Sequence, residues 1–345
     1  MTKKCPKCLS LLSLFFTVFV AVASVGGVQR DSNFGRVADY SHEQENGTLR
    51  RTISSGVDIR QQKRWDLSRV KADQSWQITA GKPEVLVAVL DTGIDESHEA
   101  LAGKVVGRVN FSNNQGSEDR HGHGTHIAGI IAASPALFDG IAGLAYDITL
   151  LNVKVANDDG TCDAAAIANG IVWAVDHGAN VINVSLTIDR ASLMLEEAVN
   201  YAWERGSIVV AAAGNDYGTK PTYPAAYANT IAVTATGADD LLPRWANHGD
   251  WVDVGAPGVD IYSSLPGDQY ERRSGTSMAA ALVSAEAGLL FAMAADANGN
   301  GRINDEVRTA IESGTEPLRA PTFTTRRINV FKALDSVLTN TESTS

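Results

Sequence analysis

Cysteine is nearly absent from this chain: there are three in 345 residues, and two of them, Cys5 and Cys8, lie in the N-terminal apolar leader. Their C-x-x-C spacing would leave with that leader and is not read as zinc or redox chemistry. Cys162 is then left without a disulfide partner. A domain made this way depends on core packing, and a bound metal would suit it. Positive charge is also scarce. With 29 Lys and Arg against 40 Asp and Glu, the formal net charge is -11, which argues against a protein that grips nucleic acid through its phosphates. Beyond the leader the sequence has no apolar run of membrane-spanning length, and no repeat or low-complexity tract.

The leader itself carries Lys3, Lys4 and Lys7, an apolar run over 9–20 and the small-x-small ending Ala21-Val22-Ala23. It reads as a secretory signal peptide over 1–23, giving a mature chain that is extracellular or periplasmic and not membrane-embedded. Residues 24–64 are polar, with dibasic pairs at Arg50-Arg51 and Lys63-Arg64, as in a pro-segment or linker. From Trp65 the texture changes. With 44% hydrophobic and 20% charged residues, the chain is long enough for one large domain, assigned to 65–336, with a flexible tail over 337–345. Apolar runs at 85–90, 148–155, 181–186, 208–213 and 230–234 read as buried parallel strands. Helical stretches at 124–133, 164–177, 193–205 and 276–294 alternate with them. The predicted fold is α/β: three α/β/α layers around a mostly parallel central sheet, with ligands at the carboxyl ends of the strands.

Three motifs fall at such edges. Asp91 ends a strand in Val-Leu-Asp-Thr-Gly-Ile-Asp. His123 opens a small-residue helix in His-Gly-His-Gly-Thr-His-Ile-Ala-Gly, and Ser277 precedes an apolar helix in Ser-Gly-Thr-Ser-Met-Ala-Ala. Singly they have plain explanations: a turn or cap aspartate, a histidine cluster for metal, an N-cap serine. Asp, His and Ser in that chain order, each beside glycine, suit an orienting carboxylate, a general base and a nucleophile. The helix N-terminus would add positive potential for an oxyanion.

On these motifs the chain resembles the subtilisin-like serine proteases (subtilases) over about 65–334. The resemblance implies a subtilisin-like fold and a secreted endopeptidase that acts on proteins or peptides through an acyl-enzyme, with no cofactor in the chemistry. It matches Asp91 to the orienting acid, His123 to the base, Ser277 to the nucleophile, Asn215 to the side-chain oxyanion donor and His126 to a structural histidine. His121 is extra and expected to be exposed. Gly160, Cys162, Ser185, Leu186 and Gly214 match substrate-flanking positions, where 160–162 and 185–187 would pair with a peptide backbone as an added sheet.

The chain departs from the pattern at Cys162 and Thr187, both in place of glycine, and at Ala281 and Leu282, in place of proline and histidine. Cys162 is either a thiol whose modification blocks the groove or a small core hydrophobe. The altered helix start leaves two rivals to hydrolysis: a peptide-binding protein that turns over poorly, and an acyl-enzyme peptide ligase. Metal-dependent hydrolysis through His121, His123 and His126 lacks the glutamate of a His-Glu-x-x-His helix. Structural calcium has one weak candidate loop in Asp296, Asn298 and Asn300, which follows only the early part of an EF-hand pattern. Asn46, Asn110 and Asn183 fit glycosylation tripeptides that carry no functional weight.

Overall fold

The computed structural model describes residues 34–37, 64–135, 141–319 and 325–343. The expected signal peptide lies outside them, as does most of the expected pro-segment. In chain order the elements are β1 (Phe34–Val37), α1 (Trp65–Arg69), α2 (Ala72–Ser75), β2 (Leu86–Asp91), β3 (Val105–Asn110), α3 (His123–Ala132), β4 (Thr149–Lys154), β5 (Thr161–Asp163) and α4 (Ala164–Asp176). They continue with β6 (Val181–Val184), β7 (Leu186–Thr187), α5 (Leu193–Glu204), β8 (Ile208–Ala212), β9 (Thr230–Thr236), β10 (Val254–Pro257), β11 (Ile261–Leu265) and β12 (Gln269–Arg273). The last are α6 (Thr276–Phe291), α7 (Asn304–Ser313), β13 (Thr315–Pro317), β14 (Arg326–Ile328) and α8 (Val330–Ser343).

Nine strands form the central sheet in the order β13-β14-β10-β9-β8-β6-β2-β4-β3. All neighbours in it are parallel except the β13–β14 pair. Successive side chains of a strand point to opposite faces, and both faces here are covered. Val87 and Val89 of β2 enter one core with α3, α6, α7 and α8, whereas Ala88 and Leu90 enter the other with α4 and α5. A strand buried on both sides must be apolar throughout, which is why these strands read as unbroken apolar runs. Burying each such aliphatic side chain contributes about 1.5–3 kcal/mol.

Two expectations about the ends are corrected. Arg64 is buried in an ion pair with Asp66 at 2.7 Å, and its Nη1 donates to the Ala142 carbonyl at 2.6 Å. The second dibasic pair therefore ends in the folded domain rather than in an open processing site. The expected tail from 337 is helix as far as Ser343, with Val337 in the core.

Candidate active site

Asp91 is the last residue of β2, His123 the first of α3, Ser277 the second of α6, and Asn215 follows β8. Asp91 Oδ1 accepts hydrogen bonds from His123 Nδ1 at 2.7 Å and from the Thr92 N–H at 2.7 Å. A carboxylate can only accept, so the imidazole proton sits on Nδ1 and Nε2 is the basic nitrogen. Asp91, His123 and Ser277 are all fully buried.

Gly124 lets helix and strand come this close. A Cβ there would stand 2.0 Å from the Gly93 carbonyl oxygen and 3.0 Å from Asp91 Cβ. Gly122, at the N-cap of α3, has no side chain to cap the helix, and Asp119 supplies the acceptors instead. Its Oδ1 accepts from the Gly122 N–H at 2.7 Å and the Thr92 hydroxyl at 2.8 Å. Its Oδ2 accepts from the Thr125 N–H at 2.8 Å and the Thr125 hydroxyl at 2.7 Å. Thr92 Oγ1 accepts in turn from the Gly124 N–H at 3.0 Å. The exit of β2 and the start of α3 are thereby locked together. From the other side, fully buried Lys154 donates to the Thr92 carbonyl and to Asp158 Oδ1 at 2.9 Å.

Ser277 Oγ donates to the Ser185 carbonyl at 3.2 Å, and the Ser185 hydroxyl donates back to the Ser277 carbonyl at 3.3 Å. Behind them Asn183 Nδ2 donates to Ser185 Oγ at 2.9 Å, and Ser284 donates to Asn183 Oδ1 at 2.9 Å. This buried polar ladder fastens α6 to β6 and the residue after it, and it withdraws Asn183 from any glycan in the folded chain. Ala281 and Leu282 leave α6 unbroken, with both side chains in the core.

Asn215 is oriented by two bonds to one atom: its Oδ1 accepts from the N–H and the hydroxyl of Thr276, each at 3.0 Å. That fixes the amide, and its buried Nδ2 has no acceptor among the described residues. A buried, oriented N–H donor without an acceptor among the described residues, beside Thr276 and hence Ser277, suits charge that appears only during a reaction. The Thr276 hydroxyl also accepts from the Gly214 N–H at 3.0 Å.

Of the other histidines, His126 is fully buried and bonded through Nε2 to the Glu271 carbonyl at 3.2 Å. Burial pushes its pKa well below the usual 6.5 and keeps it neutral. His121 is half-buried rather than exposed, with its ring 6.3 Å from that of His123. Burial first, then the neighbouring His123, lowers its pKa.

Of the segments expected to flank substrate, 161–162 lies in β5 and 186–187 forms β7, and a strand of the chain itself lies between them. β1 pairs antiparallel with β5 on one side and β7 on the other. Gly35 faces Cys162, Arg36 faces Thr187 and Val37 faces Leu186, and the Val37 N–H donates to the Gly160 carbonyl at 3.1 Å. Cys162 is buried in the second core cluster, and burial pushes its thiol pKa up to about 12. The core reading of this cysteine fits, and a reactive thiolate does not. Thr187 Cγ2 lies 3.5 Å from where a Cβ on Gly214 would be, so the replacement side chain turns toward the Gly214 end of the groove.

The candidate calcium loop folds onto itself. Both Asp296 oxygens accept backbone N–H groups, of Gly299 and Asn300 on one side and Gly301 on the other, and the Asn298 and Asn300 amides donate to Asp305. Among the described residues no group of three His, Cys, Asp or Glu side chains is gathered.

Sequence reasoning missed Asp119, Thr92, Lys154, Ser284 and β1. An acid just upstream of a helix that begins with glycine and histidine was a readable capping signal for Asp119.

Comparison with known proteins agrees with this geometry. The model of the subtilase family matches residues 82–324. Thermitase of Thermoactinomyces vulgaris is 42% identical over 269 residues, covering 77% of this chain and 94% of that protein. A thermophilic serine proteinase of Bacillus sp. (strain AK1) is 43% identical over 265 residues, 76% of this chain and 64% of the relative, so the match spans less than two thirds of that protein. Subtilisin Savinase of Lederbergia lenta is 40% identical over 227 residues, 66% of this chain and 83% of that protein.

Proposed function

This chain belongs to the subtilase family of serine proteases, and we propose on that premise that it is a secreted endopeptidase made as a zymogen, with Asp91, His123 and Ser277 as its triad. The observation that carries the reading is the buried His123 Nδ1 to Asp91 bond of 2.7 Å at the end of β2, with Ser277 bonded to the Ser185 carbonyl just past the neighbouring strand β6. Ser277 Oγ attacks a peptide carbonyl while His123 Nε2 takes its proton. Asp91 holds the tautomer and favours the imidazolium, which then protonates the leaving amine. Water deacylates Ser277 by the same relay. Asn215 Nδ2 and the N-terminus of α6 stabilise the oxyanion.

Substrates are extended protein segments, because recognition is by backbone pairing with β5 and β7. β1 supports the zymogen reading, since a segment of the expected pro-region fills that groove and must leave before a substrate can pair. Export rests on the charged start, apolar run and Ala-Val-Ala ending of the leader. No helix among the described residues is long and apolar enough to cross a membrane.

The test is hydrolysis of an unfolded protein by the secreted chain and by Ser277→Ala, with a fluorophosphonate probe reporting the nucleophile. Cleavage and labelling lost together in the variant are the expected outcome. A folded, processed wild-type chain that neither labels nor cleaves would transfer the case to the peptide-binding rival.

A further inference from the structure

Gly35 sits in the strand that fills the groove, opposite Cys162 of β5. A Cβ built on it would stand 2.1 Å from the Thr187 carbonyl oxygen, 3.0 Å from the Thr187 carbonyl carbon and 2.4 Å from Ile188 Cδ1. Ile188 Cδ1 is the end of a flexible side chain and can turn aside. The Thr187 oxygen is main chain, and the chain just beyond it is pinned. The Ile188 N–H donates to the Tyr223 carbonyl at 2.8 Å and the Tyr223 N–H donates back at 2.9 Å. The wall that Gly35 faces therefore does not yield to a methyl group. Arg36, next along β1, is exposed and meets no such wall.

We infer that the groove admits only glycine at the position of Gly35, and that Thr187 and Ile188 make this enzyme select protein segments carrying glycine two residues before the one opposite Leu186. The inference rests on the reading that substrate lies where β1 lies. Its cause is steric. Any L side chain must push the bound strand off β7, and a shift of about 1 Å at the reacting carbonyl costs about a hundredfold in rate. The other positions of the strand, set by backbone pairing, stay permissive.

Two measurements test it. In the full chain carrying Ser277→Ala, hydrogen–deuterium exchange reports whether residues 34–37 are seated. Gly35→Ala should lose the protection of that segment, and Arg36→Ala should keep it. With processed wild-type enzyme, the peptide Phe-Gly-Arg-Val-Ala bearing a C-terminal reporter should exceed its Phe-Ala-Arg-Val-Ala counterpart in kcat/KM by about a hundredfold. Protection retained in Gly35→Ala, or equal rates for the two peptides, overturns the inference. Ser277-dependent hydrolysis of an unfolded protein is followed alongside. An enzyme inactive there tells against the catalytic reading, while the exchange measurement still decides the glycine requirement.

Discussion

The surroundings of Asn215 orient its amide and leave one donor without a partner among the described residues: both bonds to its Oδ1 come from Thr276, and it is Nδ2 that has no acceptor. If that donor serves the oxyanion, it matters in the transition state and hardly at all in the ground state. Asn215→Ala should then lower kcat by about a hundredfold, the order established for losing one such donor, with KM nearly unchanged. Steady-state kinetics on a peptide ester and a peptide amide check this, and a loss confined to KM would make Asn215 a binding residue instead. The role expected for Asn215 comes from a short local motif. Asp119 was readable only as a helix cap, and its bond to Thr92 was not, because the fold alone brings the exit of β2 to it.

At the scale of the element, the strands were legible and the helix α6 was legible only in outline. Strands buried on both faces declare themselves as apolar runs, whereas edge strand β3 and the hairpin of β11 and β12, half open to solvent, do not. Every residue of α6 is buried, so it has no polar face against which an odd residue would stand out. Glu286 is that residue. It is fully buried, neither carboxylate oxygen has a partner among the described residues, and burial raises its pKa well above the usual 4.5.

The sign follows from proton counting. Above pH 4.5 the unfolded chain has released this proton while the folded chain keeps it, so stability falls as pH rises, by about 1.4 kcal/mol per unit, until the folded pKa is reached. The contribution is fully present below 4.5. Glu286→Gln, made on Ser277→Ala to prevent self-digestion, should remove that slope. Denaturant midpoints at about pH 5 and about pH 8 should show the variant gaining on its parent as pH rises. A constant difference between the two would mean that Glu286 is ionised in the folded chain.

For the whole molecule, the feature with most consequence is that the N-terminal region returns to the carboxyl edge of the sheet. Nothing local in Phe34-Gly-Arg-Val37 marks a strand, because its partners β5 and β7 come from far along the chain. It was therefore read only as part of a polar pro-segment. If β1 is held in its own molecule's groove, the segment is presented to Ser277 at an effective concentration set by the tether rather than by the solution. Continuing the β1 register past Val37 leads toward Ser185, whose carbonyl already holds Ser277 Oγ. Self-cleavage after Ala38, the bond that the Phe-Gly-Arg-Val-Ala reporter peptide reproduces, is therefore expected to be first order, with a half-life independent of protein concentration, and absent from Ser277→Ala. Intact-mass time courses across a wide dilution series check this. A rate that rises in proportion to concentration would mean that one molecule processes another, and β1 would then act as an inhibitor that a second molecule removes.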